Sequence, residues 1–135
     1  MDQCKYNVVF EPFAERHFMK SFAKKYKSSW MKTRDYIEFM CGRIDNMLES
    51  QRADLIAKSS DGCYRLVKLD FAIFGMKVSP KKSGNRCILC ADDKSGLVRV
   101  LLVYAKTDLP SRNETQEWKR LVRAEYEDME EIFNL

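Results

Sequence analysis

The chain has 135 residues, of which 45% are hydrophobic and 33% are charged, and its formal net charge is +4. This length supports one hydrophobic core, so we expect a single domain over residues 1–135. The composition excludes a disordered chain, and no apolar run approaches the ~20 residues that a membrane span needs. Because no secretory signal is visible at the start, we expect a cytoplasmic protein.

The first part of the chain predicts one strand and two helices. Residues 6–10 are apolar and β-branched, which favours a strand. Over residues 13–26, aromatic side chains recur at every fourth position and form one helical stripe. Residues 28–29 form a break, and apolar residues at helical spacing predict a second helix over residues 32–48. The two helices should form an αα-hairpin.

The second part predicts four strands and a last helix. Residues 53–57 and 63–74 read as strands, and residues 75–85 form a basic, flexible loop. Residues 86–106 form a strongly apolar β-hairpin, and a helix follows over residues 114–126. The order is β-α-α-β-β-β-β-α. Since short turns join consecutive strands, we expect an α+β fold, with a four- to five-stranded antiparallel sheet, the αα-hairpin on one face and a C-terminal helix.

Positive charge gathers at the ends of the predicted β-hairpin. Arg86 opens its first strand and Lys106 closes its second, so the two cations should lie at one rim of the sheet. Strand alternation places Lys68 and Tyr104 on the face that Lys106 shares. Basic residues are also concentrated in two segments, seven in each, residues 13–34 and 58–86. This distribution is typical of a surface that binds a polyanion, although a solvated surface gives the same pattern.

The cysteines predict reduced thiols and no metal site. The chain has five of them, an odd number without a visible secretory signal. Cys87 and Cys90 form a CxxC motif, but strand residues three apart point to opposite faces and cannot share a metal ion. We therefore expect neither a metal nor another cofactor.

Four segments resemble the RelE/ParE superfamily of toxins from bacterial toxin–antitoxin pairs. They read YNVVFEPFAERHFMKSFAKKY, GCYRLVKLDF, SGNRCILCADD and VLLVYAKTDLPSRNETQEWKRLV. They are similar to the first strand and helix of that family, its central strand, the next strand entered through Gly-x-Arg, and its last strand and helix. The resemblance spans nearly the whole chain, and each motif is short.

The resemblance implies a toxin that is neutralised by a cognate antitoxin. RelE-like members cleave mRNA in the ribosomal A site without a metal, whereas ParE-like members inhibit DNA gyrase. Metal-free cleavage needs a base, an acid and cations around the phosphate. By position, the catalytic set implied here is Lys68, Arg86, Lys106, Arg65 and Tyr104. Contacts with ribosomal RNA or mRNA are implied for Lys77, Lys81, Lys82, Lys24 and Lys25.

The sequence also departs from the RelE pattern. Thr107 stands where a second cation is expected, and the last helix lacks a tyrosine near its start. One extra residue precedes Lys68, which leaves open whether Arg65 faces the other cations. Tyr104, Tyr64 and Glu114 remain candidates for the base and the acid. The alternatives are a non-nucleolytic ParE-like toxin, which acts on a protein such as gyrase, and an unrelated RNA-binding domain.

Overall fold

The computed structural model describes residues 5–110 and 112–135. Its strands form one five-stranded sheet in the order β1-β5-β4-β3-β2. The strands are β1 (Asn7–Phe10), β2 (Ala53–Lys58), β3 (Tyr64–Phe71), β4 (Asn85–Asp92) and β5 (Leu97–Ala105). The helices are α1 (Pro12–Arg16), α2 (Met19–Tyr26), α3 (Ser28–Gly42), α4 (Ile44–Glu49), α5 (Pro80–Ser83), α6 (Glu114–Glu125) and α7 (Glu127–Phe133), and a short 3-10 helix spans Lys106–Asp108.

The predicted α+β class is confirmed, but the sheet is mixed rather than antiparallel. Among the described strands, β2, β3, β4 and β5 pair antiparallel in sequence order. β1 instead pairs in parallel with β5, with Asn7 opposite Leu97 and Phe10 opposite Val100. The prediction is wrong at this pairing because no turn joins β1 to its partner. The long connection between the two strands lets them run in the same direction.

The predicted αα-hairpin is divided into more helical segments than the sequence indicates. Lys27 has φ +52°, and it separates α2 from α3, so α3 begins at Ser28 and the break is not at residues 28–29. Phe18, with φ +70°, separates α1 from α2 in the same way. The predicted last helix corresponds to α6, and a further helix, α7, follows it after Tyr126.

Helices cover both faces of the sheet. On one face, which we call the N-helix face, α3 buries Ile37 and Met40 against strand residues such as Leu69. On the other, the C-helix face, Trp118 and other residues of α6 and α7 pack on the second side of the same strands. Because helices cover both faces, the polar side chains of the candidate site lie near the ends of the strands.

The CxxC cysteines confirm the predicted alternation. Cys87 belongs to the core of the N-helix face, whereas Cys90 belongs to the core of the C-helix face. Burial raises the pKa of the Cys90 thiol to about 12. The hydrogen bond with Cys87, together with burial, raises the pKa of Cys41. Cys41, Cys63, Cys87 and Cys90 are free thiols, and Cys4 lies outside the described residues.

Among the described residues, no helix combines the length and the apolar character that crossing a membrane requires.

Candidate functional site

The candidate site lies at one rim of the sheet, where β3 ends, β4 begins and β5 ends. The last row across these strands is Phe71, Asn85 and Ala105, and the row before it contains Asp70, Arg86 and Tyr104. Successive strand residues point to opposite faces. The row with Asn85 therefore faces the N-helix side of the rim, and the row with Arg86 faces the C-helix side.

On the C-helix side, four polar residues form what we call the Arg86 cluster: Asp70, Arg86, Tyr104 and Glu114. Arg86 Nη1 lies 3.1 Å from Asp70 Oδ1, and its Nε lies 3.5 Å from Glu114 Oε2. The Tyr104 hydroxyl donates a hydrogen bond of 2.6 Å to the same Glu114 oxygen. One cation thus faces two carboxylates, which compensate its charge.

The surroundings of the Arg86 cluster raise the pKa values of Asp70 and Tyr104. Burial raises the pKa of Asp70, and the positive charges of Arg86 and Lys68 offset this only in part. Burial and the hydrogen bond to Glu114 hold the pKa of Tyr104 well above its usual value. The Tyr104 hydroxyl therefore stays protonated and acts as a hydrogen-bond donor to Glu114, not as a base. Glu114 is the carboxylate that Tyr104 positions.

Lys68 shares the face of the Arg86 cluster, as the alternation predicts. It is half-buried, and it lies opposite Ile88 on β4 and Asp54 on β2. This places it one same-face position from Asp70, about 7 Å along the strand. Among the described residues, Lys68 has no ion pair within 4.0 Å, so its charge is available to a ligand.

Arg65 is separated from the other predicted cations. It points to the N-helix face near the opposite end of β3, about 16 Å along the strand from Asp70. Its Nη1 lies 2.8 Å from Asp45 and its Nη2 lies 2.9 Å from Asp93. Arg65 also donates a 2.7 Å hydrogen bond to the Tyr6 hydroxyl. These contacts link three chain segments, which is a structural role.

A cavity of about 280 Å³ opens on the N-helix side of the rim, and we call it the rim cavity. Lys25 and Tyr26 line it from α2, and Lys82 lines it from α5. Asn85 and Thr107 line it at the strand ends.

Lys106 lies beside the loop that bounds the rim cavity. Its backbone N–H donates a 2.6 Å hydrogen bond to the carbonyl of Gly84. Gly84 has φ +78°, and a Cβ there would lie 3.4 Å from the Lys106 Cβ, so glycine permits this close approach. Lys25, Lys82 and Lys106 are all exposed, and we call them the rim lysines.

The other lysines predicted to bind RNA lie around this region. Lys81 lines a separate cavity of about 300 Å³, together with Arg52 and Asp70. Lys77 is exposed in the loop before α5, and Lys24 is exposed on α2. The structure thus places cations near both sides of the rim, and it separates Arg65 from them.

Sequence reasoning missed two polar residues of the rim. The pairing of Asp70 with Arg86 depends on the register between β3 and β4. Asn85 carried no signal, because an asparagine before a strand usually belongs to a turn.

A larger cavity of about 520 Å³ lies against α3 and is lined by Tyr36, Phe39 and Phe74 with Lys32 and Asp35. Its one cation, Lys32, lies over the Phe74 ring at 4.9 Å. This mostly aromatic lining is less suited to a phosphate than the rim. Within the described residues, no group of three or more His, Cys, Asp or Glu side chains is placed to hold a metal ion.

No protein-family model matches this sequence, and no curated protein matches it. Among solved structures, the chain is similar to a chain in the crystal structure of an archaeal RelE–RelB complex from Pyrococcus horikoshii OT3. The TM-score is 0.47 and the identity is 14%, over 78% of this chain and 99% of that chain. At this identity and TM-score, the similarity assigns no residue role and no activity.

Proposed function

We propose that this chain is the toxin of a toxin–antitoxin pair and that it acts on RNA bound across the rim. The observation that carries the proposal is that the rim lysines come from three separate segments to one rim of the sheet, where Lys25 and Lys82 line the rim cavity and Lys106 lies beside the Gly84 loop. Phosphate contacts by lysine and arginine supply most of the affinity of proteins for RNA backbones. The sequence motifs that resemble the RelE/ParE superfamily support the choice of a toxin over other RNA-binding proteins.

The finer proposal is metal-independent cleavage of mRNA on the ribosome. In this reaction the 2′-oxygen attacks the adjacent phosphorus and the bond from phosphorus to the 5′-oxygen breaks, which leaves a 2′,3′-cyclic phosphate and a 5′-hydroxyl. We assign Glu114 as the base that accepts the 2′-hydroxyl proton, positioned by Tyr104 and Arg86. Lys68 and Lys106 stabilise the charge on the phosphorane, and the Lys106 ammonium protonates the leaving 5′-oxygen.

The proposed partners are a cognate antitoxin, the ribosome and mRNA. Lys24, Lys77 and Lys81 are exposed around the rim and would contact RNA backbone. An antitoxin would neutralise the toxin by covering the rim with an acidic segment, since charge complementarity favours that pairing.

The test is induced expression followed by primer extension on cellular mRNA. The expected result is growth arrest with new 5′ ends inside codons. A variant that replaces the rim lysines with alanine should abolish both effects. The matched control replaces Lys5, Lys58 and Lys94, which are exposed at the other end of the sheet, and should cleave like the wild type.

The second candidate is a non-nucleolytic toxin that binds a protein target. The observation in its favour is that Arg86 already faces two carboxylates and is not a free phosphate ligand. Growth arrest with intact mRNA and a DNA-damage response would support this candidate and contradict the nuclease.

A further inference from the structure

The rim cavity has the size of a site for one small ligand. Its volume of about 280 Å³ lies just below the range of about 300–1,000 Å³ that is usual for ligand pockets. Its walls come from α2, from the loop with α5 and from the ends of β4 and β5. The cavity therefore forms only when these separate segments pack together in the folded protein.

Asn85 is the feature of this cavity that points to a ligand. The residue is only 7% exposed, and its backbone N–H is satisfied by a 3.0 Å hydrogen bond to Ser83 Oγ. Its side-chain amide makes no hydrogen bond to the described residues and lines the cavity, and its polar atoms are not among the fully buried, unpartnered atoms, so they are open to a ligand there. An amide has both donors and an acceptor, which is the set that the polar edge of a nucleobase requires.

The walls offer the two other contacts that a nucleotide needs. Tyr26 is partly buried and its ring packs on Phe22 at 6.1 Å, so the part of the ring that lines the cavity can contact a base. Lys25 Nζ lies 5.3 Å from the centroid of that ring, and Lys82 lines the cavity from α5. Two ammonium groups from two different segments suit one phosphate group.

We propose that the rim cavity binds a single nucleotide unit of single-stranded RNA. The base lies against Tyr26 and forms a hydrogen bond with the Asn85 amide, as donor or acceptor. The phosphate lies between Lys25 and Lys82. Val78, which is 42% exposed, lies at the mouth of the cavity and covers the bound base. This inference rests on the proposed function, because it names the part of the RNA that the rim recognises.

The test is an NMR titration of the full chain with each of the four ribonucleoside 5′-monophosphates and, separately, with inorganic phosphate. The expected result is saturable shifts of the backbone amides of Lys25, Tyr26, Asn85 and Thr107, with a nucleotide bound more tightly than phosphate. Lys25→Ala and Lys82→Ala should each weaken nucleotide binding about tenfold. Lys20→Ala, which removes an exposed lysine of the same helix outside the cavity, should bind like the wild type.

Asn85→Ala should reduce the preference among the four bases. Because Asn85 is buried and this variant could fail to fold, Val78→Trp at the exposed mouth provides a second variant, which should block the nucleotide without changing the core. The proposal is overturned if phosphate binds as tightly as every nucleotide, if shifts are absent at millimolar nucleotide, or if Val78→Trp binds normally. Nucleotide binding without mRNA cleavage would retain this inference and reject the nuclease, whereas cleavage without nucleotide binding would do the reverse.

Discussion

Arg86 is both a predicted phosphate ligand and the cation of two ion pairs, and a mutation would affect both roles. Its side chain is 13% exposed, and Asp70 and Glu114, its partners, are nearly as buried. Removal of one partner from a buried ion pair leaves charges without compensation. Loss of RNA cleavage in an Arg86 variant could therefore result from unfolding alone.

We expect Arg86→Ala to lower the free energy of unfolding by about 3 kcal/mol, because Asp70 and Glu114 would remain buried without their cation. Urea denaturation measures this loss. Lys106→Ala is the matched control, since Lys106 is exposed, and it should change stability by no more than about 0.5 kcal/mol. Equal stability of Arg86→Ala and the wild type would contradict the buried ion pairs described here.

Asp70 provides a test through pH. Burial raises its pKa in the folded protein above the unfolded value of about 3.9, so the folded state binds more protons in the window just above that value. Wild-type stability relative to Asp70→Asn should therefore rise as the pH falls from 7 to 4. Urea denaturation of both proteins at several pH values measures the difference. A wild type that loses stability relative to the variant over this range would show that Arg86 outweighs burial.

At the scale of single residues, the sequence predicted which side chains share a face but not which ones touch. Alternation correctly placed Lys68 and Tyr104 on one face, because a strand has a fixed period of two. The contact of Arg86 with Asp70 depends on the register between β3 and β4. That register is set by how the loop between them folds, and the loop sequence does not specify it.

The C-terminal helix pair, α6 and α7, decides how much of the sheet is available for binding. The sequence predicted an amphipathic last helix from its apolar stripe, but such a stripe does not say which surface it covers. In the structure these helices cover the C-helix face, with Trp118 and Val122 buried. The parallel pairing of β1 with β5 could not be predicted either, because pairing between strands that are distant in sequence leaves no local sequence pattern.

Trp118→Ala tests the contribution of this helix pair. Trp118 is 1% exposed, so the change should leave a cavity and lower the free energy of unfolding by about 3–5 kcal/mol. Urea denaturation is again the measurement, and Gln116→Ala, an exposed change in the same helix, should have little effect. A loss no larger than that of the control would mean that α6 is not part of the core.

For the molecule as a whole, a net charge of +4 indicates little about function, and the position of the charge indicates more. The rim lysines lie at one end of the sheet, and two of them, Lys25 and Lys82, line the rim cavity. At the other end, Arg65 faces Asp45 and Asp93, so its charge is compensated. A polyanion should therefore bind at the rim and not at the other end. The sequence alone does not show this difference between the two ends, because the rim lysines are far apart in sequence and only the fold brings them to one end.

The salt dependence of RNA binding measures this polarity. For single-stranded RNA, the logarithm of the binding constant should fall with the logarithm of the salt concentration, and each lost phosphate contact should make the slope shallower by about 0.7. Replacing the rim lysines with alanine should therefore reduce the slope by about 2, whereas replacing Lys5, Lys58 and Lys94 should change it much less. Fluorescence anisotropy with a labelled oligoribonucleotide gives both slopes. Because the two variants lose the same charge, equal slopes would mean that net charge, and not the arrangement at the rim, determines binding.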